Sequence, residues 1–141
     1  MIDLGYYKWK KKGRYAHKIG KDLLSITKAK GFVPFKNDEI KRNPKAAWSS
    51  YDNHAEVRMT AVENSEGADW HQDGDTSTDD MNFGMIVWAS RQPTELKTLD
   101  GKIVNLKPYH IYYFHNQEFY HRRPNVINGR RFFFRQRVEA I

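Results

Sequence analysis

The chain has 141 residues, a net charge of +7 and a pI near 9.6, with 39% hydrophobic and 14% aromatic residues. Such a length gives a single domain, residues 1–141, with one proper core, and the apolar share belongs to a folded protein. The absence of cysteine excludes a disulfide framework, a thiolate metal site and a cysteine nucleophile. No stretch approaches the roughly 18 apolar residues of a membrane span. The N-terminus lacks the charged-then-apolar layout of a signal peptide, so a cytoplasmic protein is the expectation. The positive surface favours anionic partners at long range, although Lys-rich small proteins are often merely soluble.

From the N-terminus, Tyr6 to Tyr15 interleaves aromatic and basic residues. That pattern suits stacking and phosphate contacts on a nucleic acid. It suits better an edge strand whose rings pack inward while lysines guard the exposed side. Ile19, Leu23, Leu24 and Ile26, with charged residues between them, predict an amphipathic helix from Ala16 to Lys30, closed by Gly31. Phe32–Phe35 reads as extended, because Pro34 biases its predecessor away from helix. Asn37–Ser50 has no clean period and reads as loop, with room for a short helix. From Glu56 the pattern becomes β: Val57–Val62 is a strand, and Met81–Ala89 is another, apolar enough for burial on both faces. Leu99–Lys102 is a turn before Ile103–Leu106, and Tyr109–Phe114 and Arg131–Val138 complete the strands. Many short strands with turns between them predict a mainly β, α+β fold. The expected form is a jelly-roll or cupin-type double sheet, the double-stranded β-helix, with an N-terminal supporting helix. Residues 1–50 would supply the strand and helix support, and 51–141 the core with the metal site. Asp73–Asp80, polar and acidic, reads either as a lid or as a solvated hairpin.

The chemistry concentrates at His71-Gln72-Asp73. A His and an Asp two residues apart point to one face of a strand and can reach one metal ion. A further histidine, His121, heads a basic segment that runs through Arg122 and Arg123 to Arg130 and Arg131. Two imidazoles and one carboxylate on one side of a metal form the facial triad of non-heme Fe(II) oxygenases, which leaves coordination positions open. Without the distal histidine, His71 and Asp73 would be read as a hydrogen-bonded pair in a surface turn.

This combination resembles the Fe(II)- and 2-oxoglutarate-dependent dioxygenases, specifically their small prolyl-hydroxylase-like branch. His71 and Asp73 match that family's His-x-Asp motif, Phe114 its strand end, and His121 its distal histidine. Gly129 and Arg131 fall eight and ten residues after His121, at the family's offsets. Val57–Val62 with Gly67 and Trp70 resembles the lead into the metal motif, and Thr94–Leu96 a later segment. The likeness covers residues 50 to 138.

The resemblance implies Fe(II) held by His71, Asp73 and His121, with 2-oxoglutarate and O₂ at the remaining positions and oxidative decarboxylation to succinate. It selects His121 over His110 and His115, which lack an arginine ten residues on. It also implies that a helix at Ala16–Lys30 braces the outer sheet. Arg131 is the anchor for the 5-carboxylate of 2-oxoglutarate, since a guanidinium presents paired donors to a carboxylate. Its rival, Arg130, faces the other side of the strand. Tyr112 or Tyr113 would donate a second hydrogen bond to that carboxylate, and Trp70 or Trp88 would wall the substrate pocket or simply pack. The implied activity is hydroxylation of a C–H bond in a protein or peptide side chain, with a nucleobase of DNA or RNA as the other substrate class. A cupin-like metal-binding protein without 2-oxoglutarate turnover, and a basic nucleic-acid-binding module, are the competing classes. The sequence does not specify oligomeric state.

Overall fold

Side-chain alternation along the strands sets the architecture, and the last strand shows it most fully. Phe132, Phe134 and Val138 are buried in one apolar cluster, while Arg131, Phe133 and Arg135 face a cavity on the opposite side. A period of two separates them. The computed structural model describes residues 1–10, 15–35, 46–61, 69–74, 81–124 and 129–141. In chain order the elements are β1 (Ile2–Tyr6), α1 (Tyr15–Ala29), β2 (Trp48–Ser50), β3 (Ala55–Ala61), β4 (Gly84–Ala89) and β5 (Glu95–Thr98). They continue with β6 (Ile103–Val104), β7 (His110–His115), β8 (Phe119–Arg122) and β9 (Arg130–Val138).

All strand pairings are antiparallel. Six strands form a large sheet in the order β1-β7-β4-β9-β3-β2, and three form a small sheet in the order β6-β5-β8. An isolated antiparallel bridge between His71 and His121 adds a partial rung to the free side of β8. The path therefore runs from β3 in the large sheet to His71 in the small one, and back to β4. It then passes to β5 and β6, returns to β7, crosses to β8 and ends in β9. Repeated crossing between two antiparallel sheets is the wiring of a jelly roll, so the fold is a double-stranded β-helix of the cupin type.

The outer face of the large sheet buries Val57, Ile86, Trp88, Ile111, Tyr113, Phe132 and Phe134 against Ile19 and Leu23 of α1. The helix ends where the sequence predicts. Gly31 adopts φ +90°, Phe32 N donates to Thr27 O (3.1 Å) and Gly31 N to Lys28 O (3.0 Å), which is the Schellman closure. Beyond it, the extended Val33–Phe35 segment pairs with the end of β9 through Phe35 N to Arg137 O and Glu139 N to Val33 O. Between the sheets, Phe83, Met85, Val87, Leu96, Tyr112 and Phe114 form a second apolar cluster. The β3 and β9 side of the same interior carries Glu56, Arg58, Arg131 and Arg135 instead. The site lies there.

Several elements differ from the expectations. The edge strand lies at Ile2–Tyr6, one element earlier than Tyr6–Tyr15, and pairs with β7. Tyr7 and Trp9 then pack into the outer core, and residues 11–14 lie outside the described set. The Asn37–Ser50 loop contains strand β2 at its end, paired with β3, because Trp48 docks over Gly20 of the helix. A β-carbon built on Gly20 would stand 2.4 Å from Trp48 Cε3. The Met81–Ala89 strand starts at Gly84, since Met81 and Phe83 close a tight turn (Phe83 N to Met81 O, 3.1 Å). Strands β5 and β8 form in segments for which the sequence predicts no strand. Asp75–Asp80, the bulk of the expected lid, lies outside the described residues, as do Val62 and Gly67. Among the described residues, no helix is long and apolar enough to cross a membrane.

Candidate metal centre

His71 and His121 are fifty residues apart in sequence and adjacent in space, because their backbones exchange two hydrogen bonds. His71 N donates to His121 O (3.1 Å) and His121 N to His71 O (2.9 Å). The pairing sets the two rings side by side, with centroids 4.4 Å apart. Asp73, two residues on, points its carboxylate to the same place. Its Oδ1 lies 3.4 Å from His71 Nε2 and 3.1 Å from His121 Nε2, and donor atoms of all three residues lie within 4.8 Å of one another.

This geometry fits a divalent ion. Bonds of about 2.1 Å at right angles place neighbouring donors about 3.0 Å apart, close to both His–Asp separations. Nδ1 of His71 lies 2.7 Å from the Asp69 carbonyl, which places a proton on Nδ1 and turns Nε2 toward Asp73. A backbone carbonyl holding the far nitrogen is the usual support of a metal-bound histidine. His121 has no such brace, its Nδ1 being buried without a partner among the described residues. On Asp73, Oδ2 receives Arg135 Nη1 at 3.3 Å, which leaves Oδ1 for the metal.

The surroundings hold this carboxylate ionised. Burial alone would raise the Asp73 pKa, but hydrogen bonds from His121 and His71, with the charges of His121 and Arg135, keep it well below the usual carboxylate range. His71 is raised above the ordinary imidazole value, chiefly by its hydrogen bond to Asp73, against the opposing effect of burial. Asn116 fixes the backbone of the same aspartate. It is fully buried, its Oδ1 accepts from Asp73 N (2.9 Å), and its Nδ2 donates to Asp73 O (2.6 Å) and Met81 O (3.1 Å).

Two of the three candidate ligands, His71 and His121, border a cavity of about 500 Å³ that is also lined by five arginines and an apolar wall including Met85, Val87 and Phe133. Arg131 lines it from β9 and is 2% exposed. Its Nε donates to the carbonyls of Arg91 (3.2 Å) and Gln92 (2.8 Å), its guanidinium lies 5.1 Å from the Phe133 ring centre, and its Nη2 is buried with no partner among the described residues. Burial and the charge of Arg123 lower its pKa to about 10, so it remains a cation at neutral pH. Arg130 is exposed on the other side of the strand.

The structure places other candidates elsewhere. Tyr112 Oη accepts from Lys107 N (2.7 Å), and Tyr113 Oη accepts from Ile141 N (3.0 Å). Tyr113 belongs to the outer cluster and Tyr112 to the inner one. Neither lines the cavity, so neither hydroxyl is positioned to serve a ligand there. Trp88 is an outer-core residue whose Nε1 donates to the Tyr7 and Tyr109 carbonyls. His110 faces Asp3 and His115 faces Asn82, both away from the metal ligands. Residues that sequence reasoning passed over are Asn116, whose amide serves only main-chain groups, and Glu56. Glu56 is buried and pairs with both Arg135 and Arg58. The inward alternation of β3 and β9 was the one signal that could have paired it with Arg135.

No protein-family model and no curated protein sequence matches the chain. Among solved structures, the chain is similar to CytC3 with Fe(II) and alpha-ketoglutarate, at 19% identity and a TM-score of 0.41. That likeness covers 60% of this chain and 42% of the other, so this chain spans less than half of CytC3. It is also similar to a cupin domain from Bordetella pertussis Tohama I, at 13% identity and a TM-score of 0.39, covering 78% of this chain and 95% of that one. At these scores neither likeness carries functional weight.

Proposed function

We propose that the protein is an Fe(II)- and 2-oxoglutarate-dependent dioxygenase that hydroxylates a C–H bond, akin to the small prolyl-hydroxylase-like branch. One observation carries the reading: the two histidines of a His-Asp-His donor set line one cavity with a buried cation, Arg131, that has an N–H unpartnered among the described residues. When bound, Fe(II) with 2-oxoglutarate and O₂ supplies the oxidising chemistry, and 2-oxoglutarate leaves as succinate and CO₂. The chain's own residues supply position. His71, Asp73 and His121 hold the ion from one side, and Arg135 keeps Asp73 turned so that one oxygen serves it. Arg131 Nη2 is the donor for the distal carboxylate of 2-oxoglutarate, with Thr94 lining the cavity just beyond the Gln92 carbonyl that anchors the guanidinium. Met85, Val87 and Phe133 exclude water from that wall, which strengthens the ion pair.

A second reading has an observation behind it. Arg131 Nε already clamps the Arg91 and Gln92 carbonyls, as a purely structural arginine would in a cupin-like metal protein without 2-oxoglutarate. Calorimetric titration of 2-oxoglutarate into the Mn(II)-loaded protein separates the two. Arg131→Ala should lose about 2–5 kcal/mol of affinity, the loss for a buried charge pair, or about 1.5 to 4 orders of magnitude. Mn(II) affinity should survive. Arg130→Ala should bind as the parent does. Failure of the parent protein to bind 2-oxoglutarate, or a loss in Arg130→Ala without one in Arg131→Ala, would overturn the dioxygenase reading.

A further inference from the structure

Among the described residues, the cavity is lined by more guanidinium groups than metal and cosubstrate need. An Fe(II) ion and a 2-oxoglutarate dianion cancel one another, so the balance falls to the protein's own groups. Arg123 aside, the lining guanidiniums are Arg58, Arg122, Arg131 and Arg135. Among the described residues, their ion pairs engage three carboxylates: Glu56 with Arg58 and Arg135, Asp73 with Arg135, and Glu95 with Arg122.

Arg58 and Arg122 are held in place rather than left to wander. Arg58 projects from β3 of the large sheet, its Nη2 3.1 Å from Glu56 Oε1, and remains 39% exposed. Arg122 projects from β8 of the small sheet, with Nη2 3.1 Å from Glu95 and its guanidinium carbon 4.2 Å from the Trp70 ring centre. Lys97 Nζ lies over the same indole at 4.6 Å.

We infer that the substrate of this site carries a phosphate group, seated between Arg58 and Arg122, which line the cavity from different sheets. This rests on the dioxygenase reading for what happens to the substrate, though not for the anion site itself. Phosphate is preferred to carboxylate on geometry. One guanidinium fork satisfies the two coplanar oxygens of a carboxylate, whereas the tetrahedrally arranged oxygens of a phosphate accept from donors on two facing sheets. A free nucleotide and a nucleic-acid strand both present that chemistry.

The test is binding, measured by calorimetry on the full chain with and without Mn(II) and 2-oxoglutarate. The probes are thymidine, thymidine 5′-monophosphate, an oligothymidylate eight-mer and an uncharged peptide. The monophosphate or the oligomer should bind, and thymidine and the peptide should not. Arg58→Gln and Arg122→Gln should each weaken phosphate binding about tenfold or more, the loss of one charge-assisted contact. Lys102→Gln, which removes one exposed charge in the β5–β6 turn, should change it little. Saturation by the monophosphate identifies a small substrate. Binding by the oligomer alone, with a steep salt dependence, identifies a strand. Absence of phosphate binding, equal binding of thymidine, preference for the peptide, unaltered arginine variants, or an equal loss in Lys102→Gln would each overturn the proposal. Retained Mn(II) binding shows that each variant is folded. Arg131→Ala should lose 2-oxoglutarate and keep the phosphate probe. If the parent ignores 2-oxoglutarate while the Arg58 and Arg122 dependence holds, the dioxygenase reading falls and the anion site stands.

Discussion

At the scale of single residues, the site depends on how one carboxylate is held. Asp73 has both oxygens and both backbone groups engaged, by His71 and His121, by Arg135 and by Asn116. Mn(II) titrations should therefore rank variants in a definite order. His71→Ala, Asp73→Ala and His121→Ala should lose binding, because a three-ligand set has no spare. His115→Ala should bind normally, since His115 Nε2 faces Asn82 and its Nδ1 accepts from Gln117 N. Asn116→Ala should fall between them, and should also cost about 1–3 kcal/mol of stability for the buried groups it leaves unpaired. Normal Mn(II) binding in His121→Ala with loss in His115→Ala would move the site to the other histidine. His71, Asp73, His121 and Arg131 could be named as candidates from their spacing and the family resemblance it carries, and the fold brings the three donor atoms together and sets Arg131 in the adjoining cavity. Asn116 could not be named, because a carboxamide that serves main-chain groups leaves no pattern in neighbouring residues. The tyrosines could not be placed either, since alternation assigns Tyr112 and Tyr113 to opposite faces without saying where either hydroxyl ends.

At the scale of elements, long periodic segments could be read directly and short ones only where another signal marked them. The helix with its glycine stop, β9 and the doubly buried β4 all carry enough turns or alternations to declare themselves. The two-residue β6 falls in the expected Ile103–Leu106 segment because the Leu99–Lys102 turn announces it, whereas β2, with three residues, is too short for any period and owes its place to a tertiary contact. That contact can be tested. Gly20 lets the Trp48 ring lie directly on the helix backbone, so Gly20→Ala should overpack the joint despite alanine's better helix propensity. A loss of about 1–3 kcal/mol is expected, the usual cost of a forced methyl, read as a lower urea midpoint with an unchanged slope. A variant as stable as the parent or more so would show that Trp48 can withdraw freely.

At the scale of the whole molecule, two sheets are packed through an apolar cluster at one side and polar groups at the other. The polar side buries Glu56, Asp73, His121 and Arg131, which contributes little to stability without a ligand. Metal should supply what is missing. Mn(II) at a hundredfold excess over its Kd should stabilise the native state by about 2.7 kcal/mol through mass action. That appears as a rise in Tm for the parent protein and none for His121→Ala. Equal shifts in both would place the ion elsewhere.

The bridge between His71 and His121 also orders events in time. Of the three candidate ligands, His71 and Asp73 are neighbours in the unfolded chain, whereas His121 reaches them only through the His71–His121 bridge. Closing the intervening loop has an entropic cost. An ion that needs all three donors would therefore be captured late, and the full set would exist only in molecules in which that bridge has closed.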